Sequence, residues 1–234
     1  MTNGTARACA AAAAAVVAGL LSGCVNTVGG SAMRDPSARP WHTAITEADL
    51  DGLLLPVDEL NKLAGSSDLS VNYDSHEFAD DSDSVDDIDC VGAAYGAQQL
   101  VYGDSGWMAV RDQTLKGSAN PGAHWLEQAV VLYPSAQKAR NLLDISHTSW
   151  DRCVGPLVIY DSAHEPLSLT VGNVTERDAT ISQISRPQGA SDGGCDHAMS
   201  VASDVVVETW VCGGDVEDEA VTLAGRIVAK IEKK

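Results

Sequence analysis

Four cysteines, Cys90, Cys153, Cys195 and Cys212, constrain this chain more than any other feature, because each bond they form would hold two separated stretches at one fixed distance. Four cysteines allow three pairings. Cys90–Cys153 with Cys195–Cys212 is the favoured set, in part because the second pair flanks a stretch that reads as a β-hairpin. Chain-entropy estimates give roughly 3 kcal/mol for the shorter loop and about 4 kcal/mol for the longer. A metal site is not expected from the same residues. No Cys-x-x-Cys pair exists, and His197 is the only histidine near a cysteine.

Whether cysteines pair depends on compartment, and the N-terminus speaks to that. Residues 1–23 have the layout of a secretory signal, with Arg7 as the only charge and an apolar run over Ala8–Leu21. That run is too short and too alanine-rich for a span of about 20 residues. Leu21-Ser22-Gly23-Cys24 then reads as the cleavage and lipidation site of a bacterial lipoprotein. Cys24 is the expected attachment point, its thiol taking a diacylglycerol with palmitate-type chains. Two or more acyl chains hold a protein stably, each buried CH2 contributing roughly 0.8 kcal/mol. The expected location is the outer face of the cell membrane. Cys9 leaves with the signal.

Loss of residues 1–23 removes Arg7 and no acid, leaving a product one unit more negative than the −18 of the whole chain. Nucleic acid is excluded as a partner, since its binding rests on Lys and Arg neutralising phosphates. Cationic ligands or basic partners would be attracted, while the plainer role of the charge is solubility. Residues 24–44 read as a lipidated N-terminus and flexible tether, with Gly29-Gly30-Ser31, Pro36 and Pro40. Residues 45–234 are enough for one domain with a sizeable core.

Within that domain, Thr46 and Asp49 resemble a capping box, Pro56 opens a helix over 57–63, and Gly65 stops it. Residues 74–89, rich in aspartate, match no EF-hand: counted from Asp81, the sixth and twelfth positions are Asp86 and Gly92. They read as a solvated, partly mobile loop. Cys90 leads into one helix over about 91–101. Strands are expected over 107–115 and 125–133, joined by a hairpin connection, and Ser135 caps a helix to about Ile145. Five short β-rich runs follow as a meander over 157–160, 167–171, 180–184, 198–202 and 205–212. An amphipathic helix over 217–233 closes the chain.

These residues carry a resemblance. Leu54-Leu55-Pro56 with Glu59-Leu60, Cys90-Val91-Gly92-Ala93 and Tyr102-Gly103-Asp104-Ser105-Gly106-Trp107 come in the order seen in one family. Gln128-Ala129-Val130-Val131, Pro134-Ser135-Ala136 and Trp150-Asp151-Arg152-Cys153 continue it. Over about 45–233 the chain resembles the PknH-like extracellular sensor domains of mycobacterial kinases and lipoproteins. The resemblance implies an α/β (α+β) domain, a twisted, mainly antiparallel sheet flanked by helices. It also implies the two disulfides favoured above, and a large cleft suited to an unidentified extracytoplasmic ligand. Kinase activity is not expected to carry over. The acidic loop before Cys90 is longer and more charged than the family pattern.

Two functions remain in view: a lipid-anchored sensor-like domain with a ligand in the cleft, or an envelope protein-interaction or scaffolding lipoprotein without a small ligand. Polar residues inside apolar strands are the candidate cleft contacts: Arg111, Glu127 and Gln128. The plainer reading pairs Arg111 with Glu127 across the strands and satisfies Gln128 within the sheet. No cofactor and no catalytic residue is expected. The chain has no Gly-x-Ser-x-Gly elbow, no His-Glu-x-x-His helix and no glycine-rich phosphate loop. Asp196-His197 beside Cys195 falls in what reads as a pinned turn, and the six histidines read as surface residues.

Overall fold

The structure is a computed structural model and describes residues 44–118, 124–190, 192–214 and 216–234. Residues 1–23, Cys24 and nearly all of the 24–44 segment lie outside the described residues.

The capping box forms: Asp49 accepts from the Thr46 amide at 2.9 Å and from its hydroxyl at 2.7 Å. It starts a 3-10 turn that runs into α1 (Leu50–Leu53). Pro56 caps α2 (Val57–Leu63), and Gly65 ends it with φ +61°, a conformation only glycine adopts without cost. Strand β1 (Ser70–Ser75) follows, unanticipated by sequence because its side chains, Val71 and Tyr73 included, are mostly exposed and bury no apolar face.

The aspartate-rich stretch is more ordered than expected. The Asp87 carboxylate accepts from the Asp89 amide, Asp86 accepts from the Val158 amide at 3.1 Å, and buried Val85 bridges Ile159. The single helix expected after Cys90 is broken into α3 (Val91–Ala94) and α4 (Gln99–Tyr102), with Ala97 between them at φ 49°.

The antiparallel pair β2 (Ala109–Lys116) and β3 (Trp125–Leu132) agrees with the sequence reading. The Ser135 hydroxyl accepts from the Lys138 amide to cap α5, which runs Ala136–Arg152, two turns beyond expectation. The meander is present as β4 (Gly155–Tyr160), β5 (Pro166–Val171), β7 (Thr180–Pro187), β8 (Gly194–Ala202) and β9 (Val205–Gly213), with an added short strand β6 (Thr175–Arg177). Helix α6 (Glu219–Ile231) ends the chain.

All strands belong to one antiparallel sheet in the order β1-β2-β3-β9-β8-β7-β5-β4, with β6 on β7. The pairing of β3 with β9 joins the N-terminal hairpin to the meander. Period-two alternation gives the sheet two working faces. One carries Leu115, Leu126, Val130 and Val207 against α1, α2 and α6, with Leu53, Leu60, Leu223 and Ile227 fully buried. The other carries Val131, Met199 and Val206 against α5, with Trp150 and Tyr102 at the centre. Each buried leucine contributes about 1.5–3 kcal/mol, so this two-sided covering holds the sheet together. Both favoured disulfides are present. Cys90–Cys153 ties the start of α3 to the end of α5, and Cys195–Cys212 joins directly opposed residues of β8 and β9.

A cavity floored by buried carboxyl groups

Helix α5 covers only part of its sheet face. The other part floors a cavity of about 1110 Å³, bounded by the Ala94–Gln98 turn on one side and by Leu167 and Leu169 of β5 on another. Volumes of about 300–1,000 Å³ are usual for small-molecule sites. The Cys195–Cys212 disulfide forms part of the wall, with Trp125 and Trp210 beside it.

Three acids lie side by side on this sheet face, and two of them, Asp112 and Glu127, line the cavity. Asp112 of β2, Glu127 of β3 and Glu208 of β9 share the sheet face through diagonal neighbours in the register. Their exposures are 2%, 5% and 2%. Glu208 is fully supplied with donors. Its Oε2 accepts from the Tyr102 hydroxyl at 2.7 Å and from the Ala97 amide at 3.0 Å, while Oε1 lies 2.8 Å from His197 Nε2. The left-handed Ala97 backbone thus breaks the helix and aims an amide at Glu208. Burial pushes His197 below its ordinary value, so the neutral ring donates through Nε2. The ring sits between Trp150 and Trp210, with centroids 3.9 and 4.1 Å away.

Asp112 and Glu127 are differently placed. Both are raised above the carboxylate range, first by burial and then by neighbouring acids: Glu208 acts on Asp112, and Asp112 and Glu208 act on Glu127. The hydrogen bond between them raises Glu127 and lowers Asp112, so Glu127 holds the proton and donates it. The Asp112 Oδ1 atom has no hydrogen-bond partner among the described residues. A Cβ at position 96 would lie 2.7 Å from Glu127 Oε2, so any residue larger than glycine there would displace that carboxyl group. Among the described residues, no group of three or more His, Cys, Asp or Glu is arranged to hold a metal ion.

The three residues singled out by sequence do not come together. Glu127 lines the cavity. Arg111 and Gln128 lie on the opposite face. The expected Arg111–Glu127 pair is absent, because Arg111 stands across from Val130, and Glu127 from Thr114. Arg111 instead pairs with Asp51 and Asp74 and donates to the Ser75 carbonyl at 3.0 Å. Gln128 fastens the Leu55 backbone, accepting from its amide at 2.9 Å and donating to its carbonyl at 3.0 Å. Asp196 and His197 lie inside β8 rather than in a turn, and His197 is 1% exposed rather than a surface residue. Asp112 and Glu208 went unremarked in sequence, although each interrupts an apolar alternation, the same signal that drew attention to Glu127.

No described helix is long and apolar enough to cross a membrane. The pattern of the PknH-like extracellular domain matches residues 45–230. The serine/threonine-protein kinase PknH of Mycobacterium tuberculosis is 32% identical over 224 residues, covering 96% of this chain and 35% of the kinase. The Mycobacterium bovis PknH is also 32% identical, covering 81% of the chain and 32% of the kinase. The chain therefore spans about a third of the length of these relatives. The crystal structure of the extracellular domain of PknH from M. tuberculosis superposes with a TM-score of 0.76 at 32% identity, covering 83% of this chain and 100% of that one. With the family pattern matching residues 45–230 and the architecture agreeing, the chain belongs to the PknH-like extracellular domain family.

Proposed function

We propose that this protein is a lipid-anchored, extracytoplasmic sensor-like domain that binds a ligand in the cavity beside α5. The observation that carries the reading is the combination of a roomy cavity and an unpartnered Asp112 oxygen buried at its floor. Buried polar atoms are nearly always paired, and an exception on a cavity wall is suited to a ligand. Membership of a family of extracellular domains, seen in kinases, supports the extracytoplasmic and sensory part. The Leu21-Ser22-Gly23-Cys24 motif supports the anchor.

The test uses the full chain in detergent, incubated with envelope extract and examined by native mass spectrometry. A small molecule that binds the wild type and is lost from Ala79→Trp, which fills the cavity wall, is the expected result. A species retained by Ala79→Trp overturns the site. Capture of a protein alone would favour the scaffolding alternative. The anchor is checked by the mass of the N-terminal peptide. Acylated Cys24 is expected, and a membrane-expressed chain that keeps residues 1–23 overturns it.

A further inference from the structure

We propose that the cavity takes an organic cation, a primary amine on an apolar body, with the ammonium at Glu127 and Asp112 and the body against Trp125, Trp210 and Tyr95. The proposal rests on the ligand-binding reading above and adds the chemical class of the ligand.

The sign of the site is unambiguous. Its described lining includes Asp81, Asp112 and Glu127, and no lysine, arginine or histidine. Arg111 is the nearest guanidinium along β2, but it is on the other face and occupied by Asp51 and Asp74. An anionic ligand would meet only repulsion here. A neutral ligand would leave the Asp112 oxygen unpaired, at a cost of about 1–3 kcal/mol. A primary ammonium brings three donors and one positive charge, which suits two adjacent carboxyl groups better than the single proton they share. The aromatic side chains can receive both the cation and an apolar body, since an ammonium over an indole or phenol face gains about 0.5–2 kcal/mol. The surrounding negative charge raises the local concentration of any cation.

The bound state follows by charge balance. Above about pH 7 the free site holds protonated Glu127 and ionised Asp112, and below it both are protonated. An incoming ammonium pairs with both as carboxylates, and the Glu127 proton passes to solvent. Binding therefore releases about one proton above about pH 7 and up to about two below it, and it tightens as pH rises, by up to about tenfold per unit for each proton released. The groups facing the pair are Glu208 from β9 and Asp81 from the segment before α3, with Arg111 behind it in β2. Beyond Glu208 stand His197, Tyr102 and Tyr133, of which His197 and Tyr102 are engaged with Glu208 itself.

A matched series of probes separates charge from shape: 4-phenylbutylamine, 4-phenylbutan-1-ol and 4-phenylbutyrate, titrated calorimetrically into the full chain in buffers of different ionisation enthalpy. The amine is expected to bind at least about tenfold tighter than the alcohol, a difference of about 1.4 kcal/mol. The acid should not bind, and amine binding should release a proton. Glu127→Gln, which mimics the protonated side chain, should keep the alcohol affinity, showing an intact fold, and lose the amine preference and the proton release. An alcohol or acid that binds as well as the amine overturns the cation class and leaves a ligand-binding cavity standing. Absence of amine binding also overturns the cation class, and if the extract experiment yields no bound species either, the ligand reading falls with it.

Discussion

A carboxyl group raised by burial binds its proton more tightly in the folded state than in the unfolded one. For Asp112, whose value is pushed to about 7, the stability it contributes is full below pH ~4, where the unfolded aspartate titrates, and is lost as pH rises toward neutrality. Wild-type Tm should therefore fall between about pH 5 and pH 8, with Glu127, raised further, extending the decline. Asp112→Asn and Glu127→Gln should each flatten that profile by several degrees, as differential scanning calorimetry would read. A profile that stays parallel to wild type would mean the pair is not buried as described. Arg111 carries a second expectation at this scale. It joins α1 to β1 through Asp51 and Asp74, both partly exposed, so Arg111→Ala should cost only about 1 kcal/mol, a Tm loss of a few degrees, while ligand affinity is unchanged. The sequence reading puts Arg111 and Glu127 on one face, as cleft contacts or as a cross-strand pair, and the structure puts them on opposite faces. The error lies in strand parity. A shift of one residue in a hairpin register exchanges the two faces of a strand, and nothing local to Arg111 or Glu127 fixes the register of β2 on β3.

At the scale of elements, those with strong local signals were legible. Pro56, Gly65, Ser135 and the 3.6-residue period of α6 each encode a start, a stop or a buried face within a few residues. What escaped was written elsewhere in the chain. The break between α3 and α4 depends on Glu208, which accepts the Ala97 amide from 111 residues away. β1 is mostly exposed, Val71 and Tyr73 included, and becomes a strand because β2 offers an edge. Asp196 shows the same distance effect at α6. Asp218, the residue preceding that helix, makes no side-chain cap, and the Asp196 carboxylate of β8 accepts from the Ala220 amide at 2.8 Å instead. The Thr209 hydroxyl holds the Ala220 carbonyl, also at 2.8 Å, so β8 and β9 grip one residue of α6 from both sides. Burial raises Asp196 to about 6, against the pull of the helix amides, so the group is ionised above that pH. Asp196→Ala should then cost about 1–2 kcal/mol in urea unfolding, leaving a buried amide unpaired, while Asp196→Asn, which keeps an acceptor, should cost less than half of that. Equal losses for the two variants would show that charge, and not the acceptor, docks the helix.

For the molecule as a whole, one sheet makes the two halves of the chain a single mechanical unit, since β9 lies between the hairpin of β2 and β3 and the rest of the meander. The disulfides divide the work: Cys90–Cys153 fixes the helical covering, and Cys195–Cys212 fixes the sheet where no helix covers it. Charge works against this unit. With 33 acids and 15 lysines and arginines, repulsion among like charges is the dominant long-range term, and the ion pairs that offset it among the described residues are few and mostly exposed. Raising ionic strength from roughly 0.02 to 0.2 M shortens the Debye length to within the spacing of surface charges. Screening should remove more repulsion than attraction, so Tm should rise by a few degrees over that range, and sodium and tetramethylammonium chlorides should act alike. A protonated Glu127 is as neutral as the glutamine that replaces it, so at neutral pH Glu127→Gln should show the same salt slope as wild type even though its pH profile differs. A Tm that falls with salt would mean that Lys234–Asp49 and the Arg111 pairs outweigh the repulsion. A slope that changes in Glu127→Gln would instead mean that Glu127 is ionised in the folded protein.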